Sequence, residues 1–363
     1  MKTRLGDFRL PYYSDVPLRD AASANQLLLK PLQAKAPPVQ RYVLRVPRGE
    51  STSDAVDVNS NAEFELVLWR YARPADENRL PAVTPGTWYG KPVQRVKSAL
   101  LVHAYSQSGY TFTMNTLPEN LAGKLYGEGY EVWVLEHRLS TRLPIHEEPG
   151  TLDQIAQHDL PRAVDLDLDT LKSEFAGQEA APELVYPQLH VFAQCLGSAA
   201  LAMSLLSGRL HYHDELASDD GDPLAPRCPK LASIIFSQTH MMCIGQPGAQ
   251  ARTWIPAFIR DAIGRTTIPL GVQGPVESLP EAWLDRVFSA LPVPEEERCP
   301  TTPGVGEDDC ATCRRVRFLE APLFKHRNLS EATHLELPLH FGKANIRTFA
   351  QAAKCVEAER LVD

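Results

Sequence analysis

Cys195 ends a short apolar run, Leu189-His-Val-Phe-Ala-Gln194, and stands just before a small-residue stretch, Leu196-Gly-Ser-Ala-Ala-Leu-Ala-Met203. The pattern predicts a strand, a one-residue reversal and a helix, with a thiol at the apex. Small residues on either side of the apex, here Ala193 and Gly197, let the chain turn sharply enough to push a nucleophile out of a sheet. A thiolate in that place could attack an acyl carbon, and the unpaired N–H groups of the following helix would favour its charge. The competing reading is a buried structural cysteine at an ordinary strand-to-helix junction, because unactivated cysteines behave as small hydrophobes.

Acyl transfer also needs donors for the developing oxyanion and a base. The Leu196 N–H, next in sequence, is the first donor. The second should come from the loop after the Ser98–Tyr105 apolar run, where His103-Ala104-Tyr105 makes the Tyr105 N–H the candidate. No residue is assigned as the base on equal grounds. His240 follows the last clear strand, could face the pocket mouth, and is carried as the base candidate. His334 and His340 read as surface groups, His103 as structural, and Asp165, Asp167 and Asp169 as a solvated helix face.

The elements that must hold these groups alternate. Residues 1–40, ending in Lys35-Ala-Pro-Pro38, read as an extended lead-in. Tyr42–Val46 and Phe64–Tyr71 predict an opening hairpin, the second strand alternating apolar and charged residues as if half exposed. Ser98–Tyr105 and Glu131–Leu135 are continuous apolar runs, the pattern of strands covered on both faces. Helices are expected over Leu117–Leu125, from Thr151 to about Thr170, and after Cys195 to Leu206, with a last strand over Leu231–Ser237. Such alternation implies a mostly parallel, doubly wound α/β sheet with active groups at the carboxyl ends of its strands, spanning residues 41–240. The rhythm then breaks. Residues 241–341 read as a lid of helices and loops, with helices over 251–264 and 278–291, a polar loop over 292–309 and mixed structure over 319–341. Residues 342–363 read as a C-terminal helix.

Val102-His-Ala-Tyr-Ser-Gln-Ser-Gly109, Leu125–Arg138 and Ala193-Gln-Cys-Leu-Gly-Ser198 together resemble the α/β-hydrolase domains fused to, or associated with, GMC-type flavin oxidoreductases of the cholesterol-oxidase kind. Arg314–Glu320, Leu323-Phe-Lys-His326 and Ala332-Thr-His-Leu335 are similar to the lid region of those domains. The resemblance runs from about residue 40 to the end and implies the α/β-hydrolase fold with a cysteine at the elbow. Ala193 and Ala104 stand where glycines are frequent in the corresponding motifs. In this fold the acid usually follows the seventh strand and the histidine the eighth. The sequence ends at Arg360–Asp363, where those strands would begin, so the expected sheet lacks them. No Gly-x-Gly-x-x-Gly follows a strand, so no flavin domain is expected.

Cys310-Ala-Thr-Cys313, with Cys299 and His326 nearby in sequence, has metal-ligand spacing. Reduced thiols come first, with a structural metal or a local disulfide as alternatives; no cofactor and no metal is assigned. A net charge of −8 with no basic block argues against nucleic acid. The Met1-Lys-Thr-Arg-Leu start lacks a signal-like apolar core, and no run approaches the ~18 apolar residues of a membrane span. Seven cysteines in 363 residues fit a reducing compartment, so a cytoplasmic protein is expected. Three functions follow: an esterase, thioesterase or lactonase acting on a small apolar acyl substrate; a non-catalytic or truncated hydrolase-fold protein completed by a partner; and an acyltransferase resembling polyhydroxyalkanoate synthases. The second draws on Ile234, Ile235 and Phe236, which would form an apolar sheet edge able to pair with another chain.

Overall fold

The computed structural model describes residues 39–47, 63–72, 83–88, 91–117, 119–148, 150–176, 185–211, 230–238, 266–272, 279–290, 292–293, 298–299, 310–320 and 322–358. Seven strands form the main sheet: β1 (Val39–Pro47), β2 (Glu63–Tyr71), β3 (Val83–Trp88), β4 (Lys91–Val102), β5 (Glu131–Glu136), β6 (Val185–Gln194) and β7 (Ser233–Ser237). Their spatial order is β1-β2-β5-β4-β6-β7, with β3 paired to the first half of β4. The opening hairpin is antiparallel, Val39 facing Tyr71, and β2 also pairs antiparallel with β5. Strands β4 to β7 run parallel. Between them lie α1 (Leu121–Gly127), α2 (Leu160–Ala176) and α3 (Leu196–Leu206). A mostly parallel sheet with helical crossovers, entered through an antiparallel hairpin and carrying its sharp turn after β6, is the α/β-hydrolase fold. No helix among the described residues is long and apolar enough to cross a membrane.

The centre of the sheet is dry because its strands are covered on both faces. Leu100–Val102 and Val132–Leu135 are wholly buried. Strand β2 differs from the half-exposed expectation: residues 67–71 are buried throughout, Arg70 included. Its guanidinium is taken up by Glu131, 3.2 Å away, and by both oxygens of Glu174 at 2.5 Å. Asp167 also departs from the solvated-face reading, being buried and accepting the Ser98 hydroxyl at 2.9 Å. Burial raises its pKa well above the usual carboxylate range. Of the three only Asp169 is exposed; Asp165 is half buried and pairs with Lys230. Strand β3 escaped the sequence reading because Pro85 and Gly86 interrupt it, which an edge hairpin tolerates.

The first predicted helix begins later than expected, at Leu121, where the Asn120 side chain accepts the Gly123 N–H at 2.7 Å. Before α2 the chain runs through a capped turn, Leu152–Gln154, and a π-turn, Ile155–Asp159. The π-turn presents Asp159 to Arg138, which it binds through Nε at 3.0 Å, Nη2 at 2.6 Å and the backbone N–H at 3.0 Å. Both side chains are buried, so the pair ties the carboxyl end of β5 to the start of α2.

A smaller second core gathers β8 (Thr267–Pro269), β9 (Lys343–Asn345), α4 (Leu279–Ser289), α5 (Ala311–Leu319), α6 (Glu331–His340) and α7 (Ile346–Glu357) around Ile268, Phe288, Val316, Leu337 and Phe341. Strands β8 and β9 pair antiparallel, apart from the main sheet. Residues 331–340, expected as mixed structure, are helical, with Pro338 tolerated in the last turn. The carboxyl-terminal helix α7 sits against residues 150–153, not along β7: Thr348 bonds the Gly150 carbonyl and Gln351 receives the Leu152 N–H. Tyr105 packs against both cores. The helix expected over 251–264 lies outside the described residues, as does most of the loop over 292–309.

Replacing Asp159 with alanine would remove the carboxylate that the buried Arg138 Nε and Nη2 bind. Urea unfolding should show a loss of roughly 3–5 kcal/mol, and an Asp159→Ala chain as stable as wild type would disprove the pair's role.

Candidate active site

The chain reverses at Cys195, whose φ of 50° and ψ of −115° fall where non-glycine residues are strained. Four hydrogen bonds hold it there. The Cys195 N–H donates to Ser237 O at 2.8 Å, and the Cys195 carbonyl accepts from Ser198 N–H at 2.9 Å and Ala199 N–H at 3.2 Å. The Ser198 hydroxyl closes the turn on Ala193 O at 2.6 Å. Gly197 is required by contact: a Cβ there would lie 2.6 Å from His103 O and 3.1 Å from Val102 O. Ala193 and Ala104 are both buried, so the fold accommodates their methyl groups.

Among the described residues two further non-glycine residues have positive φ, Ser106 at 54° and Gln238 at 55°. They follow β4 and β7, the neighbours of β6 in the sheet. Strain is thus concentrated just past the carboxyl ends of three adjacent parallel strands, where ligands of such sheets bind. The loop leaving β4 is anchored at its base by His103, buried and stacked on His137 at 3.7 Å, with Nδ1 2.8 Å from Ala104 O. Burial lowers the pKa of His103, so it is a neutral structural group, as expected. Beyond it the loop is clamped to the second core. Gly342 N–H donates to Ser106 O at 2.9 Å, Tyr105 Oη donates to Asn345 O, and Ser106 Oγ donates to Glu320.

Glu320 is the residue that sequence reasoning missed. It lies one position beyond α5, at a helix carboxyl end, where the dipole disfavours negative charge. That misplacement was the available signal. Burial pushes its pKa up to about 8, and the Ser106 hydroxyl offsets only part of the rise. Its field reaches Cys195: burial first, then the Glu320 charge, raise the thiol's pKa, while the Leu196 N–H lowers it. Burial and Glu320 likewise raise Tyr105. The expectation that the helix start would lower the thiol's pKa is therefore corrected. One N–H is outweighed by desolvation and a neighbouring acid, and Cys195 rests protonated near neutral pH.

The histidines divide. His240 lies outside the described residues. His340 is half buried, with Nδ1 out of water and without a hydrogen-bond partner, and burial pushes its pKa down to about 4. It precedes by two residues the Gly342 that binds Ser106. His334 is not the surface group the sequence suggested. It faces Cys313, and their ligand atoms cluster with those of Cys299 and His326.

No family model matches the chain, and no curated protein matches it. Similar solved structures include the siderophore hydrolase EstB from Aspergillus fumigatus, at 13% identity and TM-score 0.33 over 56% of this chain and 54% of that one. The peroxisomal α/β-hydrolase Lpx1 from Saccharomyces cerevisiae aligns at 10% identity and TM-score 0.37, over 89% of this chain and 67% of that one. A bacterial brefeldin A esterase aligns at 14% identity and TM-score 0.25, over 50% and 39%. The chain thus spans about half the length of the siderophore hydrolase and less of the brefeldin A esterase. Likenesses of this degree assign no activity; the fold rests on this chain's own sheet order, crossovers and elbow.

Because the carbonyls of Val102 and His103 belong to backbone and cannot swing away, Gly197→Ala should cost about 1–3 kcal/mol. Thermal unfolding measures this directly. An unchanged midpoint would mean that the two backbones are free to separate.

Proposed function

We propose that the chain is an ester- or thioester-cleaving α/β hydrolase with Cys195 as nucleophile, the Leu196 and Tyr105 N–H groups as oxyanion donors, and Glu320 as general base. The observation that carries this reading is that the left-handed non-glycine residues among those described, Ser106, Cys195 and Gln238, all lie at the ends of adjacent strands. Strain in such a pattern survives where a site requires it. In the first half-reaction ionised Glu320 takes the thiol proton, and the thiolate sulfur adds to the acyl carbon. The tetrahedral oxyanion is held by the two N–H groups, then collapses and expels the alcohol or thiol, which receives the proton from Glu320. A water molecule deprotonated by Glu320 then adds to the acyl-thioester; Cys195 leaves as thiolate and recovers the proton from Glu320.

A carboxyl with a pKa near the working pH suits this exchange, since it is a fair base and a fair acid at once. The second core, which supplies Glu320 and clamps the Ser106 loop, is read as the lid over an apolar acyl substrate, and residues 41–240 as the catalytic core. The likeness to the hydrolase domains associated with GMC oxidoreductases and a reducing, cytoplasmic setting belong to the same reading. A second reading, a hydrolase-fold subunit completed by a partner, draws on Ile235, an apolar residue of β7 that is 56% exposed.

The two roles separate by pH. Glu320 works as a base only when ionised, so hydrolysis of an activated short-chain ester should rise with pH through about 8. Cys195→Ala should abolish turnover. Glu320→Gln should lower it by about 10²–10⁴-fold and remove the inflection near 8, leaving only the thiol's own titration above its usual 9. A profile unchanged in Glu320→Gln would sink the base assignment. Labelling of Cys195 by a thiol-directed probe no faster than that of an unfolded peptide, with no turnover, would favour the non-catalytic reading.

A further inference from the structure

A second chemical site lies in the smaller core, away from the thiol at the elbow. The Sγ atoms of Cys299 and Cys313 and a ring nitrogen each of His326 and His334 all lie within 4.8 Å of one another. The individual approaches are closer. Cys299 Sγ is 3.2 Å from His326 Nε2, and Cys313 Sγ is 3.4 Å from both His326 Nε2 and His334 Nε2. A tetrahedral zinc with Zn–S near 2.3 Å and Zn–N near 2.05 Å sets its S···N edges at about 3.5 Å. The three distances approach that edge length while no ion is there to set it. Both imidazoles present Nε2, and the side chains come from four separate points on the chain: the segment at 299, the first turn of α5, the turn at His326–Asn328 and the first turn of α6.

The surroundings suit a bound cation with thiolate ligands. Cys313 is buried, Cys299, His326 and His334 are half buried, and none of the three nearby cysteines is in a disulfide. The Cys310 N–H points at Cys299, and the N–H groups of Thr312 and Cys313 point at Cys310. Donors aimed at sulfur stabilise thiolate.

We propose that Cys299, Cys313, His326 and His334 form a structural zinc site, with the Cys310 thiol beside it as a neighbour and not a ligand. Two thiolates with two imidazoles in a closed tetrahedron favour zinc over harder, six-coordinate cations, and four protein ligands leave no open position for substrate. Binding releases the two thiol protons to solvent. The metal then fastens both α5 and α6 at their amino ends. The site stands independently of the role given to Cys195, and its readouts do not involve turnover.

The test is metal analysis of the full-length chain expressed with zinc in the medium and purified without a chelator or a histidine tag. Wild type should carry about one zinc per chain, Cys195→Ala and Cys310→Ser should match it, and Cys313→Ser and His334→Ala should fall below about a tenth of that. Cobalt substitution should give the visible absorption of a tetrahedral thiolate-bearing centre. If the ligand variants do not fold, alkylation of wild type followed by peptide mapping decides: zinc should protect Cys299 and Cys313 and leave Cys195 as reactive as before. Wild type without zinc, equal alkylation with and without it, or a disulfide among Cys299, Cys310 and Cys313 would each overturn the site. Loss of zinc in Cys310→Ser would overturn the ligand assignment.

Discussion

Gly197 and the carbonyl of His103 meet so closely that a methyl group on the glycine would lie 2.6 Å from the oxygen, and the rest of the site is built outward from that contact. It places the start of α3 directly against the end of β4. Two turns that are distant in sequence thereby become neighbours: the reversal at Cys195 and the loop from His103 to Ser108. The hydrogen bonds from Cys195 N–H and Ser198 Oγ to Ser237 O then draw in the end of β7. Three strand ends are fixed relative to one another by main-chain contacts, which tolerate little adjustment. Side-chain packing alone would not hold a non-glycine residue at a φ of 50°.

The second constraint is electrostatic. The Ser106 loop is bound on one side by the sheet and on the other by Glu320, Gly342 and Asn345 of the smaller core. A carboxyl buried there remains neutral through most of the physiological range, so the clamp does not bring a desolvated charge with it. Ionisation is the costly state. Moving a pKa from the ordinary glutamate value to about 8 makes the charged form a few kcal/mol less favourable than in water. For an acid whose pKa is raised on folding, stability is full below the unfolded value near 4.5 and declines as pH rises through 8. The same shift therefore loosens the clamp at high pH.

Much of this was legible in the sequence. Continuous apolar runs identified β5 and the carboxyl-terminal half of β4, whose polar start at Lys91 the run beginning at Ser98 did not show, and the small-residue run after Cys195 identified the elbow and α3 with nearly their observed limits. Those features are local, set by period and residue size. What was not legible depends on long-range partners. Arg70 looks like the solvent face of an alternating strand until Glu131 and Glu174 are brought to it, and Asp167 looks like one of three exposed acids until Ser98 arrives. Glu320 reaches Ser106 across 214 positions of sequence, which no periodicity reports. Cys299 and His326 could be grouped with the Cys-x-x-Cys pair by closeness in sequence, but that His334 joins Cys299, Cys313 and His326 within 4.8 Å depends on how α6 packs against α5.

Helix α5 connects the two chemical centres. Cys313 lies in its first turn and Glu320 just past its last, seven positions apart, or about 10 Å along a helix axis. Arg315, on the same helix and fully buried, is held by Asp285 at 2.6 and 2.7 Å and by Pro269 O at 2.8 Å, which prevents the helix from rotating about its axis. Rotation is thus restrained in the middle of the helix, and the proposed zinc would restrain translation at its amino end, leaving the carboxyl-terminal Glu320 with little freedom relative to Ser106. A zinc at Cys313 would act on the elbow chemistry through this lever alone. Its loss would loosen Glu320 relative to Ser106 while leaving Cys195 held by the contacts among α3, β4 and β7.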